Sequence, residues 1–148
     1  MMMNHNYDRG MTQEWICNNE DETARAACEI ADMVQYPCVI CLYGDLGAGK
    51  TSFSRAMIRH LLGDVDMVVP SPTYTIVQTY ADDTIWHFDL YRLDDPEQLY
   101  DVGWEEALNA KICLIEWPDR MGGLKPQKTV DITIETLQDE ARRITLDA

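Results

Sequence analysis

Basic residues are scarce in this chain. Twelve Lys and Arg stand against 26 Asp and Glu, only four of them lysines, and the formal net charge is −14. Such a protein is repelled by nucleic-acid phosphates and anionic membranes unless a partner supplies the basic surface. No basic stripe with interleaved aromatics occurs, which argues against tight direct binding of RNA or DNA. The acidity itself reads equally as plain solubility or as complementarity to a basic protein partner. No apolar run approaches the roughly 18 residues a membrane span requires, and no signal-type h-region follows the start, so a cytoplasmic location is expected. Cysteines are few and odd in number, five in all. Cys38 and Cys41 form a C-x-x-C, but within a strand residues three apart face opposite sides. Buried thiols in a reducing compartment account for them better than zinc or redox chemistry. No N-K-x-D appears, which disfavours guanine-nucleotide recognition.

At 148 residues the chain can bury a core without disulfide or metal staples. Met1 to Gly10 reads as a frayed polar tail, leaving 11–148 as one domain. Asn19, with Glu22 three residues on, predicts a helix start. A stripe of Ala24, Ala27, Cys28, Ala31 and Val34 carries that helix to about Tyr36, where Pro37 stops it. Residues 37–43 are a short apolar strand, and Lys50 to Leu62 a helix closing near Gly63. Thr75 to Ala81 and Thr84 to Tyr91 predict a hairpin about Asp82-Asp83. Asp94 to Asn109 is helical in pieces, with Pro96 at a tolerated early position. Lys111 to Trp117, apolar on both faces, fits a central parallel strand. Thr129 to Thr136 turns Val130, Ile132 and Ile134 inward and pairs with Arg142 to Asp147 as an antiparallel edge hairpin. The alternation predicts an α/β fold, three-layered and of the P-loop NTPase type, with a mixed, mainly parallel central sheet.

The most informative segment is Gly44-Asp45-Leu46-Gly47-Ala48-Gly49-Lys50-Thr51, a complete G-x-x-x-x-G-K-[ST] followed by Ser52. Glycines let backbone N–H groups approach phosphate oxygens, Lys50 supplies a point charge, and the Thr51 hydroxyl is a hard ligand for Mg²⁺. Strand, glycine loop and helix stand in the order the motif requires. ATP and Mg²⁺ are the expected ligands. A hydrolase of this kind needs a carboxylate at the end of a neighbouring apolar strand. Glu116, after Ile112-Cys113-Leu114-Ile115, stands there, one methylene longer than the usual Asp, to hold the ion directly or through a water. In Trp86-His87-Phe88-Asp89-Leu90-Tyr91, period two puts Trp86, Phe88 and Leu90 on a core face and His87, Asp89 and Tyr91 on a polar line. Asp89 is placed to orient or deprotonate a water, or to hold the ion's water shell. His87 reads more readily as a structural hydrogen-bonder. Thr73, in Ser71-Pro72-Thr73, belongs either to a phosphate-sensing loop or to an ordinary ST-turn.

Together these motifs resemble the TsaE (YjeE) family of small bacterial ATPases. The resemblance runs through the phosphate loop, Ser71-Pro72-Thr73-Tyr74-Thr75, His87-Phe88-Asp89-Leu90-Tyr91-Arg92-Leu93 and Glu116-Trp117-Pro118. It implies that Lys50 and Thr51 hold phosphates and metal, Glu116 completes the metal site and Asp89 serves hydrolysis. It further implies that Thr73 lies in a switch-like loop, Trp117 beside the nucleotide and Glu20 to Thr23 near the base. It implies weak ATP hydrolysis by the chain alone, and action on a TsaB/TsaD-like heterodimer that transfers threonylcarbamoyl to adenosine 37 of tRNAs reading ANN codons. Contact with tRNA would then be indirect, through those partners. Two alternatives from other classes remain open: a small-molecule kinase, for which the only late-loop arginine is Arg120, and a nucleotide-sensing module that needs no hydrolysis.

Overall fold

The computed structural model describes residues 12–148, and the tail expected at 1–10 lies outside that range. Seven strands are joined in one sheet: β1 (Thr12–Cys17), β2 (Cys38–Tyr43), β3 (Val77–Tyr80), β4 (Ile85–Asp89), β5 (Ile112–Glu116), β6 (Val130–Thr136) and β7 (Arg142–Asp147). Their order is β1-β7-β6-β2-β5-β4-β3. The inner four, β6, β2, β5 and β4, run parallel, while β7, β1 and β3 add antiparallel at the two margins. This is the mixed α/β sheet that the sequence predicts.

Helices α1 (Glu20–Met33) and α2 (Lys50–Leu62) cover one face. Ala27, Ile30, Phe53 and Met57 pack there on Ile40, Leu42, Ile112, Leu114 and Ile132. The other face is covered by a 3₁₀ segment at Pro96–Val102, the short α3 (Trp104–Leu108) and a second 3₁₀ segment at Pro118–Leu124. Leu99, Trp104 and Met121 meet Cys41, Phe88, Cys113 and Ile115 on that side. Phe88 contacts the Trp104 ring edge-on at 5.4 Å. Alternation along β4 holds, because Trp86 and Phe88 enter this second core while Ile85 enters the first.

Three details differ from expectation. The stripe on α1 is Thr23, Ala26, Ala27, Ile30 and Ala31, with Ala24 and Cys28 at its margin. The helix ends at Met33 rather than near Tyr36, since Val34 is already extended (φ −74°, ψ 156°). Finally, a strand with no clear alternation, β1, pairs along the outer side of β7, so the β6–β7 hairpin is itself flanked. Cys38 and Cys41 do lie on opposite faces of β2, one against each core.

Candidate functional site at the end of β2

The two long helices begin in contrasting ways. At α1, Asn19 accepts from the Glu22 amide and three acids fill the first turn, so that N-terminus is satisfied internally. At α2, the cap is Gly49, no side chain caps the turn, and no acid stands in it. Its open amides and dipole therefore favour an external anion. Gly44 is held against the end of β6, where an added Cβ would stand 2.7 Å from the Ile134 carbonyl oxygen. Gly49, at φ +108°, takes a conformation suited to glycine.

Leu46, Gly47, Gly49, Lys50, Thr51 and Ser52 line one side of a cleft of about 300 Å³, and Thr73, Asp89, Tyr91, Glu116 and Trp117 line the other. Lys50 is nearly fully buried. Its ammonium donates to the carbonyls of Gly44 and Asp45 (2.9 Å to the latter) and lies 4.2 Å from the centre of the Trp117 ring. Burial pushes its pKa down from the ordinary value, and Glu116, then Asp89 and Asp45, push it back up. Trp117 reaches this position because the chain turns through left-handed backbone (φ 60°, ψ 54°) directly after β5. A non-glycine residue adopts that conformation at a cost of about 1–2 kcal/mol.

Glu116 and Asp89 are register partners on neighbouring parallel strands, both buried. Thr51 Oγ1 donates to Glu116 Oε1 at 3.0 Å, and His87 Nε2–H donates to Glu116 Oε2 at 2.7 Å. His87 thus fixes the carboxylate, while its Nδ1 is buried with no partner among the described residues. Asp89 accepts from Thr73 Oγ1 (3.1 Å) and from the Tyr91 amide (3.0 Å), and Ser71 Oγ is 2.7 Å from Thr73 Oγ1. Behind this loop, Ile76 sits at φ 71°, an unfavourable value for a β-branched residue, with its carbonyl accepting the Asp89 amide at 2.8 Å. Ser52 Oγ donates to Glu20 Oε1 at 3.3 Å, which brings the start of α1 beside α2.

Residues singled out from the sequence therefore converge, with distinctions among them. Gly44 and Asp45 act through carbonyls on Lys50, and the Ala48 carbonyl is taken by Arg142 at the start of β7. Arg92 lies over the Tyr74 ring (4.5 Å) and Arg120 over Tyr91 (5.7 Å); neither lines the cleft. Two contacts carried no sequence signal: His87 on Glu116, and Arg142 Nε donating to Ala48 O at 2.8 Å. Both join residues far apart in the chain, and only the assembled sheet reveals them. A larger cavity, about 870 Å³, lies at the opposite end of the sheet beside Tyr36, Cys38 and Lys128, away from these motifs. In open α/β sheets ligands favour the carboxyl ends of strands, which selects the smaller cleft.

The family model for "Threonylcarbamoyl adenosine biosynthesis protein TsaE" matches residues 17–144. The tRNA threonylcarbamoyladenosine biosynthesis protein TsaE of Rickettsia felis is 41% identical over 129 residues, 86% of this chain and 75% of that protein. Its Haemophilus influenzae counterpart is 43% identical over 113 residues, 74% of this chain and 70% of that one. The crystal structure of Bacillus subtilis YdiB superposes with a TM-score of 0.76 at 30% identity, covering 94% of this chain and 86% of the other. The chain belongs to the TsaE family.

Proposed function

We propose that this protein binds ATP with Mg²⁺ over the phosphate loop and hydrolyses it, slowly when alone, in support of threonylcarbamoyl transfer to adenosine 37 of tRNAs reading ANN codons. The observation that carries the nucleotide chemistry is the uncapped start of α2, with buried Lys50 and the Thr51–Glu116 pair beside it. The pathway rests on the names of the relatives.

The donor set suits the metal. Thr51 Oγ1 and Glu116 Oε1 are 3.0 Å apart, matching two adjacent corners of a magnesium octahedron, about 2.9 Å for bonds of 2.0–2.1 Å. Both are hard oxygens, and His87 holds the carboxylate in place from behind. When bound, the ion would neutralise phosphate charge. Amides of the loop and of the first turn of α2 would cradle the phosphates, and Lys50 would exchange its loop carbonyls for phosphate oxygens. Trp117 would border the nucleotide and Glu20 would approach the base.

In the hydrolytic step a water oxygen bonds to the γ-phosphorus while the bond to the β,γ-bridging oxygen breaks, leaving ADP and phosphate. Asp89, aimed by Thr73 and the Tyr91 amide, orients that water and takes its proton. Among the described residues Lys50 is the single cation lining the cleft, so compensation of transition-state charge is incomplete and intrinsic turnover is slow. A TsaB/TsaD-like heterodimer would complete the site and supply the tRNA contact that a −14 chain lacks. Such a role places the protein in the cytoplasm; no helix among the described residues is long and apolar enough to cross a membrane.

The test is depletion of the protein, nucleoside analysis of bulk tRNA, and complementation with Lys50→Ala and Asp89→Ala. Loss of threonylcarbamoyladenosine, restored by neither variant, is expected. Unchanged modification on depletion overturns the pathway, and full rescue by Asp89→Ala favours a nucleotide-sensing role without hydrolysis.

A further inference from the structure

We propose that Arg142 is a positioning residue for phosphate binding, because its guanidinium locks the Ala48–Gly49 peptide with its N–H aimed at the ligand. The inference rests on the nucleotide reading above. Arg142 opens β7, a strand that lends no residue to the lining of the cleft. Its Nε donates to the Ala48 carbonyl at 2.8 Å, and one terminal nitrogen donates to the carbonyls of Glu140 (2.9 Å) and Ala141 (3.3 Å). All three acceptors are backbone oxygens. Among the described residues no carboxylate forms an ion pair with it, although acids outnumber bases two to one. The adjacent Arg143 pairs with Glu14 at 2.9 Å and Glu135 at 3.6 Å, the ordinary use of a surface arginine.

Peptide planarity makes the Ala48 carbonyl and the Gly49 N–H point in opposite directions. Holding the carbonyl outward on Arg142 therefore turns the Gly49 N–H inward, on the side where Gly49 lines the cleft. Glycine alone does not secure this. Reversing the peptide carries Gly49 from φ +108° to about −72°, which glycine adopts equally well. The reversed peptide would direct a carbonyl oxygen at the phosphates. The rest of the turn is consistent with a fixed peptide, since the Ala48 amide is already engaged by the Asp45 carbonyl at 3.0 Å. The conformational freedom that lets the loop approach phosphate is thus restrained by a side chain more than ninety residues away.

The experiment measures Mg-ATP and Mg-ADP affinity by calorimetry for the full chain, Arg142→Ala, Arg142→Met and Arg143→Ala. Circular dichroism checks folding, and the ¹⁵N-labelled Gly49 amide is followed by NMR. Both Arg142 variants are expected to lose about tenfold or more in affinity for each nucleotide, the worth of one charge-assisted hydrogen bond. Guanidinium ion at millimolar concentration should restore part of that loss in Arg142→Ala, and the Gly49 amide should lose its ligand-induced shift. Arg143→Ala should bind like wild type. If Arg142→Ala does not fold, Arg142→Met, which keeps the aliphatic stem, decides. Wild-type affinity in a folded Arg142 variant, or an unchanged Gly49 response, overturns the proposal. Failure of the wild-type chain to bind nucleotide overturns the functional reading instead.

Discussion

Replacing Glu116 by Gln isolates the charge of the buried carboxylate while preserving its shape. In the native protein Glu116 takes one hydrogen bond from His87 at 2.7 Å and one from Thr51 at 3.0 Å. Bonds to a charged group contribute about 1.5–3 kcal/mol each and neutral ones about 0.5–1.5. Gln has one acceptor oxygen where the carboxylate has two, so it accepts from His87 and keeps the Thr51 contact only with the hydroxyl accepting from its amide; removing the desolvation of a buried anion offsets part of the difference. The expected cost to the ligand-free protein is about 1–2 kcal/mol, or roughly 3–8 °C in Tm for a chain of this size. The effect with ligand differs in kind. ATP at a hundred times its Kd stabilises a protein by about 2.7 kcal/mol, and loss of the anionic metal ligand should weaken magnesium-dependent binding at least tenfold, about 1.4 kcal/mol. The assay is thermal unfolding with and without ATP, in Mg²⁺ or in EDTA. The wild type should gain a clear Mg²⁺-dependent increment in Tm, of which Glu116→Gln should lose about half or more. A variant that keeps the full increment refutes the assignment of Glu116 to the metal.

Asp89→Asn should bind ATP within a few-fold of wild type yet lose about a hundredfold or more in turnover, as removal of a general base does; single-turnover phosphate release by the complete transferase assembly checks it, and equal loss of affinity and turnover would contradict it. Gly44→Ala should destabilise the fold by about 1–3 kcal/mol in urea titration, because the new Cβ meets the Ile134 carbonyl oxygen at 2.7 Å. Wild-type stability there would show that the loop can move off β6. Burial pushes the Cys38 and Cys41 thiols up to about 12 from an ordinary 9.0. A raised folded value means the native state holds its protons longer than the unfolded state, so stability is intact below pH 9 and falls between pH 9 and 12. The slope is up to about 1.4 kcal/mol per pH unit for each thiol. Urea unfolding at pH 8 and pH 10 should show this loss, and Cys41→Val should reduce it; an unchanged slope would contradict the assignment.

What the sequence made legible were elements whose cause is local. The phosphate loop, β2 and α2 follow from a contiguous glycine pattern after an apolar run and before a periodic one. The polar line of His87 and Asp89 was visible because alternation along β4 left it no core to enter. The unreadable parts depend on partners distant in sequence. Strand β1 has only weak alternation in Thr12-Gln13-Glu14-Trp15-Ile16-Cys17 and owes its conformation to pairing with β7. Arg142 looks like any charged residue starting a strand until the hairpin is folded against the loop. Arg92 lies over Tyr74, a contact that depends on the path of segment 71–76 and has no counterpart in the local sequence pattern. Period two puts His87 on the polar line, but its grip on Glu116 needs β4 and β5 to be neighbours, and adjacency of strands is not written in either one.

The central claim is that one metal ion joins Thr51 to the end of β5 beneath a triphosphate. Its most direct test is anomalous diffraction from crystals grown with Mn²⁺ and a non-hydrolysable ATP analogue. A single strong peak is expected within bonding distance of Thr51 Oγ1, with Glu116 bound to it directly or through one water. A peak elsewhere, or nucleotide seated with Glu116 still closed on Thr51 and no ion between them, would contradict it.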